Sequence, residues 1–544
     1  MIDNTHNYSR SALPYLLILF SIALLFEPLN IRYYTPTSDG WVFSVQYENI
    51  ISHSSFIDIL NRLFSIQDSR SFRLLPFLIQ KYSGIEGFLL LNTILFILYV
   101  ATICGIYKIF SIYTSNYLSI FLALVFGLFP FDGTLFFSGA FGVNISLFAV
   151  VWSFYLIISY SNYSGSIFKF ISGLILIFVA NKSYPGHIPL YFLCISLHFI
   201  VKIYIYKETW HRQLKLYATL FIIYFISLLP FIYEIMQGSG RSSVVADVDI
   251  FSALFGLVYA LKTSLVDATV SALDWDAENS LACALFFTLS TTSFLLLKCE
   301  LQIPNVRRIV YVFLLSGLIF AAGYFPYSVT ELRYNNAREL LFARFGVCVF
   351  IAAIILLAYS RYRHYLNSFS CALLFSVVLT LFLNQKITVA EFYAENSREQ
   401  RFFLSEVAKL VPDGSDTNQF LIFVDAEKAV VRTPSMIINR PEWMLRYLFE
   451  ENDIQAVAVN YIQFRKGLVE YYIDSNQLAR GRNRVSLAEA VPLNYTPGVG
   501  VTIANDLSLV DASLQTRNLD VRSVSPFAAG PRSPRVDWFT RLEH

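Results

Sequence analysis

Long apolar runs alternate with short polar breaks along this chain, on a scale that matches a bilayer rather than a soluble core. Windows of about 19 residues give eleven such runs, near 12–30, 86–108, 117–131, 142–160, 168–181, 186–206, 215–234, 279–297, 308–327, 343–360 and 366–384. A helix needs about 20 apolar residues to cross a hydrocarbon core of about 30 Å. The expected fold is therefore an α-helical polytopic membrane protein of about 11 transmembrane helices. The runs at 117–131 and 168–181 are short, which suits tilted, broken or re-entrant segments. Residues 11–30, "SALPYLLILFSIALLFEPLN", lack a small-residue cleavage site and read as a retained first span rather than a signal peptide.

Two intervals interrupt this rhythm. Within 31–85, the stretch 54–82 holds two amphipathic segments: Phe56, Ile57, Ile59, Leu60, Leu63 and Phe64 in the first, then Phe72, Leu74, Leu75, Leu78 and Ile79 in the second. Within 235–278, residues 249–273 are amphipathic and of borderline spanning length. Segments of this kind lie along the membrane interface.

After residue 384 the composition changes. Residues 385–544 hold 38 of the 80 charged residues in 160 of the 544 positions. "FLIFVD" at 420–425 and "IQAVAVNY" at 454–461 read as buried strands, with "RPEWMLRYLFEEN" between them as a helix and Pro441 in its first turn. The domains expected are a transmembrane unit over 1–384, a soluble C-terminal α/β domain over 385–500, and an irregular Pro-, Ser- and Arg-rich tail over 501–544.

Composition narrows the class further. Hydrophobic residues make up 56%, aromatics 17% and charged residues 15%, with a mean hydropathy of +0.53; soluble domains carry about 25% charged residues. A soluble enzyme is excluded. The net charge of +2 gives no reason to expect a nucleic-acid partner. The six cysteines, Cys104, Cys194, Cys283, Cys299, Cys348 and Cys371, lie in or at the ends of apolar runs, with neither disulfide nor zinc spacing.

Charge placement sets an expected orientation. With the N-terminus cytoplasmic, the inner loops and their edges carry Arg10, Lys108, Lys169, Lys202, Lys207, Arg212, Lys215, Lys298, Arg307, Arg308, Arg361 and Arg363, as the positive-inside rule requires. The long loops 31–85 and 235–278 then face outward, and so does the C-terminal domain. A bacterial inner or plasma membrane is the expected location.

Candidate chemistry centres on "YYTPTSDGWVFSVQ", residues 33–46, just past the first span. Moving a sugar from a lipid phosphate to a hydroxyl needs a base for the acceptor's proton and cations for the departing phosphate. Asp39 offers the first, with Trp41 and Phe43 as a platform for the sugar face. Arg70, Arg73, Lys182, Arg333 and Arg338, all expected on the same side, offer the second. Each has a plainer reading. Asp39 in "TSDG" and Asp132 in "FPFDGTLFFSG" suit ordinary turns, Arg70 and Arg73 suit headgroup anchors, and Lys182 suits an interfacial cation.

The layout resembles membrane glycosyltransferases of the GT-C superfamily: one span, a long outer loop with an acid at its start, then in-plane helices. "SFRLLPFLIQKYSGIEGFLLLNTILFILY", with its R-x-L-P entry, is similar to theirs. "LFPFDGTLFFSGAFGVNISLFAVVWSFYLI" resembles their second outer loop, and "VANKSYPGHIPLYFLCI" the turn after their fifth span. The likeness covers roughly residues 12–235. It implies Asp39 as base or acceptor-orienting acid, Asp132 as a second acid, and Lys182 and Arg73 as the better-placed phosphate ligands, with Arg333 and Arg338 less so. It also implies a polyprenyl-phosphate sugar as donor, inversion at the anomeric carbon, and a glycan, lipid or protein acceptor. The single acid of "SDG" departs from the paired Asp-x-Asp of the metal-dependent branch, so no cofactor is indicated and a metal is not expected. A lipid-linked saccharide transporter or flippase, and a surface-polysaccharide polymerase or ligase, are the competing readings. Charge-free span centres disfavour ion coupling, and the acid-rich 235–278 loop disfavours a ligase.

Overall fold

A computed structural model describes residues 12–503 except 32–33, 36–38, 66–69, 84–87, 131–135, 137–140, 164–165, 205–209, 237–249, 298–305, 329–339, 363–366, 412–417, 425–440, 452, 461–471, 475–476, 481–482 and 487–488. Three segments open the chain: α1 (Leu13–Phe26), α2 (Asp39–His53) and α3 (Phe56–Phe64). A 3-10 turn at Ser71–Leu74 leads into α4 (Leu75–Ser83). The apolar runs become α5 (Leu89–Tyr113), α6 (Asn116–Gly127), α7 (Phe141–Tyr163), α8 (Ile167–Ser183), α9 (Ile188–Tyr204) and α10 (Trp210–Met236). α11 (Ile250–Lys262) and α12 (Ala268–Leu273) are joined by a π-helical turn at Thr263–Asp267. The bundle closes with α13 (Ser280–Leu296), α14 (Val306–Ser328), α15 (Arg344–Tyr362) and α16 (Ser368–Leu410).

Each of the eleven expected spans meets a helix, and the chain is a polytopic helical membrane protein. Seven stretches among the described residues are long and apolar enough to cross a membrane by length and composition, while α1, α6 and α13 are shorter apolar helices. One of the seven is Phe251–Leu273, expected to lie in plane. It packs against α14, α15 and α16. Leu257, Ala260, Leu265 and Ala268 share a cluster with Tyr324 and Tyr327 near the end of α14 and with Leu340, Ala343 and Val347 around the start of α15.

The C-terminal unit contains a four-stranded sheet, in the order β2-β1-β6-β7, built from β1 (Gln419–Val424), β2 (Gln455–Asn460), β6 (Val491–Thr496) and β7 (Gly500–Ile503). β1 pairs in parallel with β2 and β6, and β6 pairs antiparallel with β7. The helix α17 (Pro441–Phe449) lies in the connection between β1 and β2, as the two apolar runs and Pro441 indicated. A small antiparallel meander of β3 (Tyr472–Asp474), β4 (Gln477–Arg480) and β5 (Asn483–Ser486) completes it. β7 carries the domain to Ile503, three residues past the expected boundary at 500; residues 504–544, the expected tail, lie outside the described residues.

The other expected boundary, at 384, falls inside a continuous helix. α16 spans 43 residues, about 64 Å at 1.5 Å per residue, with no Gly or Pro between Ser368 and Leu410. Its first half packs Phe375, Leu379, Leu383 and Ile387 into the bundle core, and its last turns pack Phe403, Leu404, Val407 and Ala408 into the core of the C-terminal unit. That second core also takes Trp41 and Val45 from the first long loop and Phe88 from the start of α5, so the bundle and the sheet domain share one apolar interior.

The first long loop contains one more helix than its apolar pattern indicated. Among its described residues α2 buries Trp41, Val45 and Ile51 strongly as apolar positions, spaced 4 and 6 residues apart, and Gly40 weakens the helical signal. Trp41 is fully buried, its ring edge-on to Phe88 at 5.7 Å and tilted on Tyr447 at 5.1 Å. Its indole N–H donates to Gln400 Oε1 at 2.6 Å. Replacing Trp41 by Ala is expected to cost about 3–5 kcal/mol, as large aromatic truncations in cores do. Trp41→Phe keeps a ring but strands Gln400 Oε1, for about 1–3 kcal/mol. Thermal unfolding of the detergent-solubilised protein measures both, and equal stability of all three chains would remove this seam as a structural joint.

Candidate active site

The segments expected on the outer side converge at one end of the bundle, where the C-terminal unit sits. Tyr34 donates its hydroxyl hydrogen to the Phe136 carbonyl. Thr35 N–H donates to Ser397 Oγ at 2.9 Å, and Asn384 Nδ2 donates to the Asp276 carbonyl at 2.9 Å. The opposite end gathers Tyr15 and Lys108, whose ammonium lies 5.3 Å from the Tyr15 ring, and the Tyr113 hydroxyl 2.8 Å from His198 Nδ1. Both sets fit the expected alternation of the spans.

Asp39 is the first residue of α2, and its side chain is outside the described part of the structure. The backbone on either side is fixed to a single turn of α16: Thr35 bonds Ser397, and Trp41 bonds Gln400. An acid in the first turn of a helix is also electrostatically favourable in its own right. Trp41, expected as a sugar platform, has both contacts and its N–H committed to the core, so its ring is not presented to a ligand. Phe43 lies in α2 with its side chain undescribed, and Asp132, Arg333 and Arg338 fall outside the described residues.

Two of the expected phosphate ligands, Arg70 and Arg73, come together at Tyr184, and the third, Lys182, precedes it by two residues at the end of α8. The guanidinium carbons of Arg70 and Arg73 lie 5.4 Å and 5.9 Å from the centre of the Tyr184 ring. Arg73 Nε donates to the Ser183 carbonyl at 3.3 Å, and Lys182 Nζ donates to the Ser65 carbonyl at the end of α3. Arg73 and Lys182 are buried and Arg70 is half-buried. A glycine at the start of α7 makes room for this arrangement, since a Cβ at Gly142 would stand 2.4 Å from Arg73 Nε.

The ring of Tyr184 is held from the other side by residues that the apolar pattern did not single out. Its hydroxyl is 2.6 Å from that of Tyr327, and its ring stacks on Phe342 at 6.5 Å. His187 Nδ1 lies 2.9 Å from the Tyr184 carbonyl and 3.0 Å from Ser146 Oγ. A carbonyl only accepts, so Nδ1 carries the hydrogen in that bond. His187 Nε2 is buried and has no hydrogen-bond partner among the described residues. Phe342 is itself set by close backbone contact, since a Cβ on Gly323 of α14 would come within 2.6 Å of its carbonyl.

A second pair of buried cations lies beyond Phe342. Arg344, at the start of α15, donates through Nη1 to the Phe126 carbonyl at 3.3 Å and lies over the rings of Phe126 and Phe129 at 5.4 Å and 5.3 Å. Lys386 of α16 donates to the Phe129 carbonyl at 3.2 Å, 5.4 Å from the Phe136 ring. Both are fully buried. The signal for them was available: each stands at an end of an apolar run on the side where topology does not call for cations. Among the described residues, no group of three or more His, Cys, Asp or Glu is placed to hold a metal ion.

These features define a class, a polytopic helical membrane protein with a cation-rich, aromatic-floored site beneath a C-terminal α/β unit. No family model matches the chain, and no curated protein matches it. Among solved structures, the crystal structure of ArnT from Cupriavidus metallidurans in the apo state is similar with a TM-score of 0.40 and 10% sequence identity, over 86% of this chain and 96% of that one. Similarity at that level leaves the chemistry to be read from this chain's own residues.

The helix α3 matters to the site because its last carbonyl holds Lys182. Its start is fixed by a capping box: Asp58 N–H donates to Ser55 Oγ at 3.2 Å, and Ser55 N–H donates back to Asp58 Oδ2 at 3.1 Å. Hydrogen bonds from the Ser55 side chain and backbone hold the Asp58 carboxyl below its ordinary range. A depressed carboxylate stabilises the fold above its unfolded pKa and loses that contribution as pH falls through the folded value. Ser55→Ala is expected to cost about 1 kcal/mol locally, read as faster amide hydrogen exchange across 56–64. Acidification of the wild type below the carboxylate range should speed the same amides, and unchanged exchange in both cases would show that the box does not hold α3.

Proposed function

We propose that the chain is a membrane glycosyltransferase that moves a sugar from a polyprenyl-phosphate donor to an acceptor hydroxyl at the outer face of the membrane. The observation that carries this reading is the placing of Arg70 and Arg73 against one tyrosine ring beside Lys182, at the end of the bundle where the Asp39 segment is pinned to α16. The GT-C-like sequence layout supports it. Ionisable groups at membrane depth are expensive and point to function by default.

In the proposed reaction the Asp39 carboxylate accepts the proton of the acceptor hydroxyl. The acceptor oxygen attacks the anomeric carbon as the bond from that carbon to the phosphate oxygen breaks. The bonding electron pair leaves on the phosphate, where Arg70, Arg73 and Lys182 stabilise the growing charge. Arg is suited to this because its planar fork matches phosphate oxygens. A single in-line displacement inverts the anomeric centre, and polyprenyl phosphate and the glycoside are the products. Asp132 is the second acid of the proposal, and Arg333 and Arg338 are further candidate cations. In this reading the N-terminus is cytoplasmic and the C-terminal unit lies outside, in a bacterial inner or plasma membrane.

The test is sugar transfer in membranes from a panel of radiolabelled polyprenyl-phosphate sugars, comparing wild type with Asp39→Asn at matched expression. Asn has nearly the same size and shape as Asp, so this variant removes the charge while leaving the packing of α2 through Trp41 and Val45 in place. Loss of a general base is expected to slow transfer by about 10²–10⁴-fold. Equal rates would remove Asp39 from the chemistry. Lipid movement across vesicles without any covalent product would favour the flippase reading instead.

A further inference from the structure

We propose that Thr263 and Ser264, on the π-helical turn between α11 and α12, are specificity-determining residues that read hydroxyls of the donor's sugar. The inference rests on the glycosyltransferase reading and adds to it the side of the site that meets the sugar.

The two hydroxyls stand apart from others on the helices of this chain. Serine and threonine within a helix can return their hydroxyl hydrogen to a carbonyl one turn back. Thr269 does so to Leu265, Thr288 to Ala284 and Thr292 to Thr288. Thr263 and Ser264 are 1% and 3% exposed, yet neither Thr263 Oγ1 nor Ser264 Oγ has a hydrogen-bond partner among the described residues. A buried hydroxyl left unpaired is destabilising, and here two are adjacent. They lie where the helix widens: the Ala268 N–H donates to the Thr263 carbonyl, five residues back. Turns of this kind recur at functional sites. Its exposed side is closed by Lys262 Nζ, 3.3 Å from Asp267 Oδ1.

The turn touches α15, and Ala260 and Leu265 on either side of the pair share one cluster with Tyr184, Tyr324 and Tyr327. The Tyr327 hydroxyl meets that of Tyr184 at 2.6 Å, and Arg70 and Arg73 lie against the Tyr184 ring. The hydroxyl pair therefore borders the same aromatic floor as the two arginines assigned to phosphate. Aromatic walls with a few fixed polar groups are the usual make-up of a small-molecule site. A sugar ring offers flat C–H faces to such walls and a polar edge of hydroxyls. Each protein hydroxyl supplies one donor and two acceptor lone pairs, which matches that edge. Buried water is the competing occupant, and it would satisfy both hydroxyls without regard to the sugar.

Thr263→Val and Ser264→Ala, singly and together, remove the hydroxyls with little change of shape. Ser376→Ala in α16 is the control, since Ser376 Oγ is equally buried and has no partner among the described residues. In the solubilised full-length protein without donor, every variant is expected to unfold at the wild-type temperature or above it. Equilibrium binding is then measured for polyprenyl phosphate alone and for polyprenyl phosphate carrying glucose, mannose, galactose or arabinose. Wild type and Ser376→Ala should bind one sugar-bearing lipid about tenfold more tightly than the bare lipid, the gain that goes with a buried hydrogen bond. The double variant should bind the two alike, with its affinity for the bare lipid unchanged. A lower unfolding temperature for the double variant would show that its hydroxyls are bonded within the fold and overturn the proposal. An undiminished sugar preference in the double variant, or no preference in wild type for any of the four, would overturn it as well. Sugar-dependent binding without transfer in membranes would sink the transferase reading and leave the sugar site standing. Transfer by wild type, with the same sugar preference in the double variant, would do the reverse.

Discussion

One helix fixes most of the rest. α16 enters the bundle core through Phe375 and Leu379 and ends in the sheet domain's core through Phe403 and Val407. An uninterrupted helix transmits position over its whole length, because every backbone hydrogen bond between the two cores is internal to it. The sheet unit is therefore seated on the bundle by a rigid element, and the first long loop is trapped between them. Ser397 and Gln400, one turn apart on α16, bond Thr35 and Trp41 on either side of Asp39. The placement of that segment follows from the packing between the bundle and the sheet unit rather than from its own local sequence.

The cations obey a second constraint. A buried ammonium or guanidinium must have hydrogen-bond acceptors, and here carbonyls in or just past the last turns of helices supply some of them. Lys182 takes the carbonyl that closes α3, Arg73 takes that of Ser183, Arg344 that of Phe126, and Lys386 that of Phe129. Aromatic faces at Tyr184, Phe126, Phe129 and Phe136 add attraction to the cations. Such bonds satisfy donor hydrogens without neutralising charge, as a carboxylate would. They also give each cation a structural role, so the same lysine can hold α3 in place and contribute to the field at its end.

The helical layout was legible because a membrane imposes a strong filter: about 20 apolar residues, then a polar break. The strands at 419–424 and 455–460 were legible as short apolar runs on either side of a proline-started helix. β6 and β7 were missed although Val491, Leu493 and Tyr495 alternate inward and a Thr-Pro-Gly turn follows. Three of the six residues of β6, Pro492, Asn494 and Thr496, are polar or proline, and the run is too short to stand out against an aromatic-rich background. α2 was missed for a related reason: its buried positions answer to a domain more than 350 residues away, as the Trp41–Gln400 bond shows. Trp41 itself was misread because an aromatic beside an acid looks the same in sequence whether it faces a sugar or a core.

Within the candidate site, the sequence indicated the charges and not the scaffold that gathers them. Arg70, Arg73 and Lys182 were accessible as cations on the expected outer side. That the two arginines meet at a single tyrosine depends on contacts no local pattern encodes. Gly142 leaves the space Arg73 fills, Gly323 lets α14 press against the Phe342 backbone, and Phe342 supports Tyr184 from below. His187 was invisible for the same reason, since its orientation is set by Ser146 from a different helix. With Nδ1 committed to the Tyr184 carbonyl, the acceptor nitrogen of the neutral ring is the buried Nε2. That nitrogen has no hydrogen-bond partner among the described residues, so the packing of His187 against Tyr191 and Phe342 leaves one acceptor of the neutral ring unspent.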